Sequence, residues 1–133
     1  MADMTALPDS ARQLLDAANL VVVATVSVDG SPQTSVVWAT HDGDDLLMST
    51  IEGRLKPRNW HTRPQTSALI LDRDNPYHYV EVRGDVTVTD DPGDPGLIHV
   101  LSRTYTGERW GGDDGTDHHR LICRLTPTKV VEH

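Results

Sequence analysis

Hydrophobic positions along this chain change period several times, and each change marks a candidate element. Ala11, Leu14, Leu15 and Ala18 recur at three- and four-residue spacing, which predicts a short amphipathic helix over residues 10–18, packed on a sheet. The next run, residues 20–28, is mostly Val, Ala and Thr and stops at Asp29-Gly30. An Asp-Gly pair between two β-rich runs is hairpin chemistry, because both central turn positions need positive φ. A return strand over 32–40, a turn at His41-Asp42-Gly43-Asp44 and a strand over 46–51 give three expected consecutive antiparallel strands.

Residues 52–65 are polar and basic and contain Gly53, Pro57 and Pro64, so a loop with at most a short helix is expected there. Residues 66–71 read as a buried strand. A turn at Asp74-Asn75-Pro76 follows, and 77–89 alternates with period two, with Gly84 marking an expected bend or bulge. Asp94-Pro95 predicts a helix start, the Asp side chain capping and the Pro in the first helical position. Leu97, Ile98, Val100, Leu101 and Tyr105 form its apolar face, and Gly107 ends it. Residues 110–117, rich in Gly and Asp, are expected to be mobile; 120–126 and 128–132 supply the closing strand or strands. The sum is a mainly β chain of about six antiparallel strands with short flanking helices. Strands in such a meander lose their exposed edges by closing on themselves, which makes a small barrel the economical arrangement.

Composition narrows this further. A length of 133 residues suits one domain, so residues 1–133 are expected to form a single unit. There is no Phe and aromatics make up only 5%, so the core must be built from Val, Leu, Ile and Ala. The net charge of −8 repels phosphate backbones and anionic lipid, so neither nucleic acid nor a membrane is an expected partner. Any anion the chain binds must be held by a local basic cluster. Cys123 is the single cysteine, so no intramolecular disulfide is possible. Residues 1–9 lack the basic and apolar regions of a secretory leader, and no apolar run approaches the roughly 20 residues that cross a bilayer. A reduced, cytoplasmic protein is expected.

The basic cluster sits in Ser49-Thr50-Ile51-Glu52-Gly53-Arg54-Leu55-Lys56-Pro57-Arg58-Asn59. Two hydroxyls end a strand, a glycine follows, and three cations occupy alternate positions, with Arg63 close behind. Arg54 offers a planar fork to phosphate oxygens, Lys56 a point charge, and Ser49 or Thr50 a neutral donor. A solvated loop balancing the acidic remainder would have the same composition. Yet these four cations within ten positions are a third of the 12 Lys and Arg in the chain, a concentration that points to an anion.

That segment resembles the phosphate-binding stretch of the flavin and deazaflavin oxidoreductases, the pyridoxamine-5'-phosphate-oxidase-like split β-barrel family. The likeness extends in order over nearly the whole chain. Val21-Val22-Val23-Ala24-Thr25 with Asp29-Gly30-Ser31-Pro32-Gln33 resembles the first hairpin, and Ser35-Val36-Val37-Trp38 the strand beneath the isoalloxazine ring. Tyr79-Val80-Glu81-Val82-Arg83-Gly84-Asp85-Val86 resembles the long central strand, and Leu101-Ser102-Arg103-Thr104-Tyr105-Thr106-Gly107 the helix ending in tyrosine and glycine.

The resemblance implies a split β-barrel and a homodimer with the cofactor at the subunit interface. Ser49, Thr50, Arg54 and Lys56 would hold the cofactor phosphate, with Asn59 packing or bonding nearby. Gln33, Ser35, Val36 and Trp38 would contact the ribityl chain and ring, while Tyr77 and Tyr79 of the partner subunit would line the substrate side. Ordinary packing for Trp38 and Tyr79, and a loop-capping role for Asn59, are the competing readings. Gly53-Arg54-x-Lys56-x-Arg58-Asn59 is most like the members that use coenzyme F420, whose phosphodiester and glutamyl tail would give Arg58 and Arg63 a use; FMN is the alternative. Trp60-His61-Thr62-Arg63-Pro64 departs from the family's more basic run, and the longer C-terminal segment of true pyridoxamine phosphate oxidases is absent. The implied activity is hydride transfer from reduced deazaflavin to an unsaturated or quinone-like small molecule, with the cofactor carrying the chemistry. The alternatives are an FMN-binding oxidoreductase of the same fold and a protein that binds F420 or flavin without turnover. No catalytic side chain is assigned.

Other constellations give less. Of seven histidines only His118 and His119 are adjacent, and strand neighbours point to opposite faces, so no metal site is expected. Cys123 lies between apolar neighbours and reads as buried. Asp113-Asp114-Gly115-Thr116-Asp117 lacks the spacing and closing Glu of a calcium loop. Gly-x-Gly-x-x-Gly, Walker and Gly-x-Ser-x-Gly patterns are all missing.

Overall fold

In the computed structural model, α1 (Asp9–Asp16) precedes β1 (Val21–Val26), β2 (Pro32–Val37), β3 (Thr40–Asp42) and β4 (Asp45–Ile51). There follow α2 (Leu55–Thr62), β5 (Gln65–Leu71), β6 (Tyr79–Asp90), α3 (Leu97–Thr106) and β7 (Arg120–Glu132). The structure describes residues 6–133; residues 1–5, most of the stretch expected not to be a secretory leader, lie outside the described residues.

Seven antiparallel strands, one more than the pattern predicted, form one sheet in the order β2-β1-β5-β6-β7-β4-β3. The two edge strands are consecutive in the chain, separated only by Trp38 and Ala39. The curled sheet is therefore bridged from edge to edge by its own backbone, which makes a split β-barrel. This corrects the expected meander of three strands. The segment 32–40 breaks at Trp38-Ala39, and β4 pairs with β3 and β7 instead of with β2. The break is stable because Ala39 is fully buried and its N–H donates to the Tyr105 hydroxyl at 3.2 Å, a side chain replacing the ladder bond.

Alternation fills the interior. Val21 and Val23 of β1, Ala68 and Ile70 of β5, Val80 and Val82 of β6, Cys123 and Leu125 of β7, and Leu46 and Met48 of β4 all point inward. Leu7, Ala11, Leu14 and Leu15 from the N-terminal region and Trp60 of α2 close the ends. Each fully buried branched aliphatic contributes roughly 1.5–3 kcal/mol, so a core with almost no aromatic content suffices. Arg124 of β7 forks onto Asp42 and Asp45, both at 2.9 Å, and pins the β3–β4 turn.

One open alternative is decided and two further expectations change. The two closing pieces are one strand, β7, which pairs with β6 through a register shift beside Gly84. Helix α3 begins after Gly96, and the N–H of Leu97 is taken by Asp91 at 2.8 Å, so the capping carboxylate is Asp91 and not Asp94. The segment 110–117 is not left loose: Asp113 accepts two bonds from Arg120, at 2.8 and 3.0 Å, and Asp114 accepts two from Arg109.

Gly84 sits at the register shift between β6 and β7; a Cβ there would stand 2.0 Å from the carbonyl oxygen of Thr126. Gly84→Ala is therefore expected to lower the unfolding free energy by roughly 1–3 kcal/mol, read from the urea midpoint, with the native circular dichroism spectrum retained.

Candidate functional site

A cleft lies between edge strand β2 and the start of α2. Residues 52–65 were expected to hold at most a short helix, and α2 is eight residues long. Pro57 falls in its first turn, where a missing N–H costs little, and Pro64 lies beyond its end. The helix is held against β1 by Asn59, which is 2% exposed and donates to Thr25 Oγ1 at 2.9 Å and Ser27 Oγ at 3.4 Å.

This docking aims the first turn of α2 at the inward side of β2. Gln33 and Ser35 pair in register with Thr25 and Val23, whose side chains face the interior, so they share that face. Gln33, Ser35, Arg54 and Lys56 thereby line one cleft of about 170 Å³, together with Thr25, Thr34 and Leu55. Arg54 is at the exposed mouth and Lys56 is partly buried. Among the described residues neither has an ion-pair partner, although the chain has 20 acids for 12 basic residues. Burial lowers the pKa of Lys56, and the neighbouring Arg54 charge pushes the same way. The Oγ of Ser35 is buried with no hydrogen-bond partner. An unpaired ammonium, an unpaired guanidinium and an orphan hydroxyl around one small cleft make an anion-binding set, and Leu55 and Lys56 add first-turn N–H groups with no intrahelical acceptor.

The other sequence candidates separate. Arg58 and Asn59 line an adjoining groove of about 600 Å³ with Ser27, Val28, Asp29 and Ser31; Leu55 is shared by both depressions. Asn59 thus serves as a strap between α2 and β1. Ser49 and Thr50 are not among the cleft's lining residues: Thr50 is buried, and Ser49 has a buried, unpartnered Oγ on β4. Val36 and Trp38 line a third cleft of about 260 Å³ with Leu20, Val37, Ile98, Trp110 and Arg120. Tyr77 is 86% exposed and Tyr79 stacks on His133 with centroids 4.4 Å apart; neither lines these clefts. Sequence reasoning missed Thr25, Trp110 and Arg120. Thr25 looked like any strand residue, and Trp110 lay in a segment whose glycines suggested disorder.

No group of three or more potential metal ligands occurs among the described residues. No described helix is long and apolar enough to cross a membrane. Burial pushes the Cys123 thiol up to about 12, so it is an inert core residue.

A closed sheet of this order with a basic cleft at its split is the architecture of flavin- and deazaflavin-type oxidoreductases. The family model described as pyridoxamine 5'-phosphate oxidase matches residues 7–133, and the chain belongs to that family. A solved structure named F420 reductase is 30% identical over 94% of this chain and 98% of its own, with a TM-score of 0.81. A putative pyridoxamine 5'-phosphate oxidase from Listeria innocua shares the fold at 18% identity, covering 93% of this chain and 95% of that one, TM-score 0.69. A conserved hypothetical protein from Mycobacterium tuberculosis does so at 19% identity, covering 99% and 87%, TM-score 0.74.

Two outcomes follow from the site's construction. Asn59→Ala is expected to cost roughly 1–3 kcal/mol by orphaning Thr25 and releasing α2, and to weaken anion binding in the cleft although Asn59 does not line it. Cys123 should resist iodoacetamide at pH 8 in the folded protein and react only after denaturation, as mass spectrometry would show.

Proposed function

We propose that the protein is a homodimeric, cytoplasmic F420-dependent reductase that delivers hydride to a small unsaturated or quinone-like molecule. One observation carries the reading: Gln33, Ser35, Arg54 and Lys56 converge on a cleft whose cations have no carboxylate partner. These are the residues that would hold a cofactor phosphate. The orphan hydroxyl of Ser35 fits the same group as a neutral donor. The adjoining groove beside Arg58 favours F420 over FMN, since a phosphodiester must continue past the phosphate and a terminal phosphate needs no such room. The 30% identity to a structure named F420 reductase supports the same choice.

When bound, the cofactor supplies the hydride chemistry. The chain's own part is positioning. Lys56 and Arg54 fix the anionic end, and the chain runs along β2 from Ser35 to Trp38, three residues or roughly 10 Å further on, where a ring system would rest. On the outward face, Val36, Val22 and Leu69 stand in one cross-strand row, with Val36 62% exposed, an apolar surface suited to a second copy that would bring its Tyr77 and Tyr79 to the substrate side. A lone buried thiol suits a reducing compartment.

The test is a side-by-side fluorescence titration of apo-protein with F420 and FMN. F420 should bind tighter, and Arg54→Ala and Lys56→Ala should each weaken it by about ten- to a hundredfold, or roughly 1.4–2.7 kcal/mol. Wild-type affinity in both variants would remove the phosphate clamp. Binding should also weaken as pH rises through the lowered Lys56 value, because only the protonated ammonium attracts the anion; Lys56→Gln should flatten that dependence.

A further inference from the structure

The side-chain amide of Asn59 reaches the walls of two depressions at once. Its Nδ2 donates to Thr25 Oγ1 at 2.9 Å and to Ser27 Oγ at 3.4 Å. A primary amide nitrogen has two hydrogens, so one serves each hydroxyl. Thr25 lines the small cleft with Arg54 and Lys56, and Ser27 lines the adjoining groove with Arg58. Asn59 is 2% exposed and Thr25 1%, so solvent does not compete for the bond between them.

The direction of these bonds fixes the direction of the next ones. A hydroxyl has a single hydrogen. With an amide N–H against its oxygen, Thr25 cannot aim that hydrogen at Asn59 and must send it elsewhere. Among the described residues no acceptor takes it, and the cleft is the space that Thr25 lines. Ser27 is placed alike. Its backbone is spent in the hairpin turn, where its carbonyl accepts from the Gly30 N–H at 2.8 Å and its N–H donates to the Ser31 carbonyl at 2.9 Å. Its hydroxyl hydrogen is left for the groove.

The other groups on the cleft agree in polarity. Ser35 brings a second hydroxyl, buried and without a partner, and Arg54 and Lys56 can only donate. Among the described residues no carboxylate lines the cleft, whereas Asp29 lines the groove. An anion's charge therefore belongs in the cleft and its uncharged continuation in the groove. A wall of donors satisfies bare oxygens and leaves the hydrogen of a P–OH group facing another hydrogen.

We infer that Asn59 is a positioning residue that locks the Thr25 hydroxyl as a donor into the cleft. The cleft thereby selects phosphate groups bearing no hydrogen, as in a diester, over protonated phosphate. Assigning the diester to F420 rests on the reductase reading; the hydrogen-bond polarity does not.

Two probes of equal charge isolate the effect. At pH 4.5 dimethyl phosphate and methyl phosphate both carry about one negative charge, and only the second keeps a P–OH. Phosphorus NMR titration of the full-length protein should show dimethyl phosphate binding at least fivefold tighter. At pH 7, where methyl phosphate sheds that hydrogen, the preference should vanish or reverse. Thr25→Val keeps the shape and removes the donor, so its preference at pH 4.5 should fall below twofold, while Thr25→Ser retains it. Asn59→Ala frees the hydroxyl to turn and should lower the preference in the same way, with Arg54 and Lys56 untouched; if that variant fails to fold, Thr25→Val decides. A packing role alone would weaken both probes together and leave their ratio unchanged. Equal or reversed affinities in the wild type at pH 4.5, an undiminished preference in Thr25→Val, or no saturable binding of either probe would overturn the inference. Failure of F420 to bind while the two phosphates behave as expected would remove the reductase reading alone.

Discussion

The Tyr105 hydroxyl donates to the Asn19 carbonyl at 2.6 Å and accepts from the Ala39 N–H at 3.2 Å. This places one side chain of α3 at the point where one edge of the sheet turns into the other. Ladder pairing stops at Trp38 and Ala39, and without an alternative partner the buried backbone of Ala39 would lose its hydrogen bond. The phenol supplies that partner, and its ring stacks on Trp38 in the same contact. Burial raises the phenol's pKa, which keeps it a neutral donor and acceptor.

Once the break is fixed, the rest of the molecule is constrained. The barrel's two edge strands are bridged by the chain itself, and a cleft lies between β2 and α2. Asn59 and Thr25 hold α2 beside that cleft, so the cations 54 and 56, which a free loop would turn toward water, line it with the inward side chains of β2. The same break carries Trp38 to the opposite end of β2, beside Trp110. A basic cleft and an aromatic cleft therefore occupy the two ends of one strand, and the strand's length sets the distance between them.

The loop after α3 shows how charge can order glycine-rich sequence. In an acidic chain, Asp113 and Asp114 would repel one another and their neighbours. Each instead receives both arms of an arginine, Arg120 and Arg109 respectively. The segment becomes a wall, and the glycines that suggested mobility serve close packing, Gly112 against the indole of Trp110.

Local chemistry in the sequence determined much of this. Period-two runs, the Asp29-Gly30 turn and the basic stretch after β4 named most of the strands, the barrel and the cations Arg54 and Lys56, and the family resemblance added Gln33 and Ser35, which line the same cleft. Those features depend on neighbours within a few positions, which a linear reading captures. Three things lay beyond it: the strand break at Ala39, the placement of Thr50 in the interior away from the cleft, and the partnership of Trp110 with Trp38 and Arg120. Each is decided by residues tens of positions apart that meet only after the sheet curls. Whether a buried amide finds a strand or a phenol, and whether an arginine faces a ligand or a carboxylate, is settled by that closure.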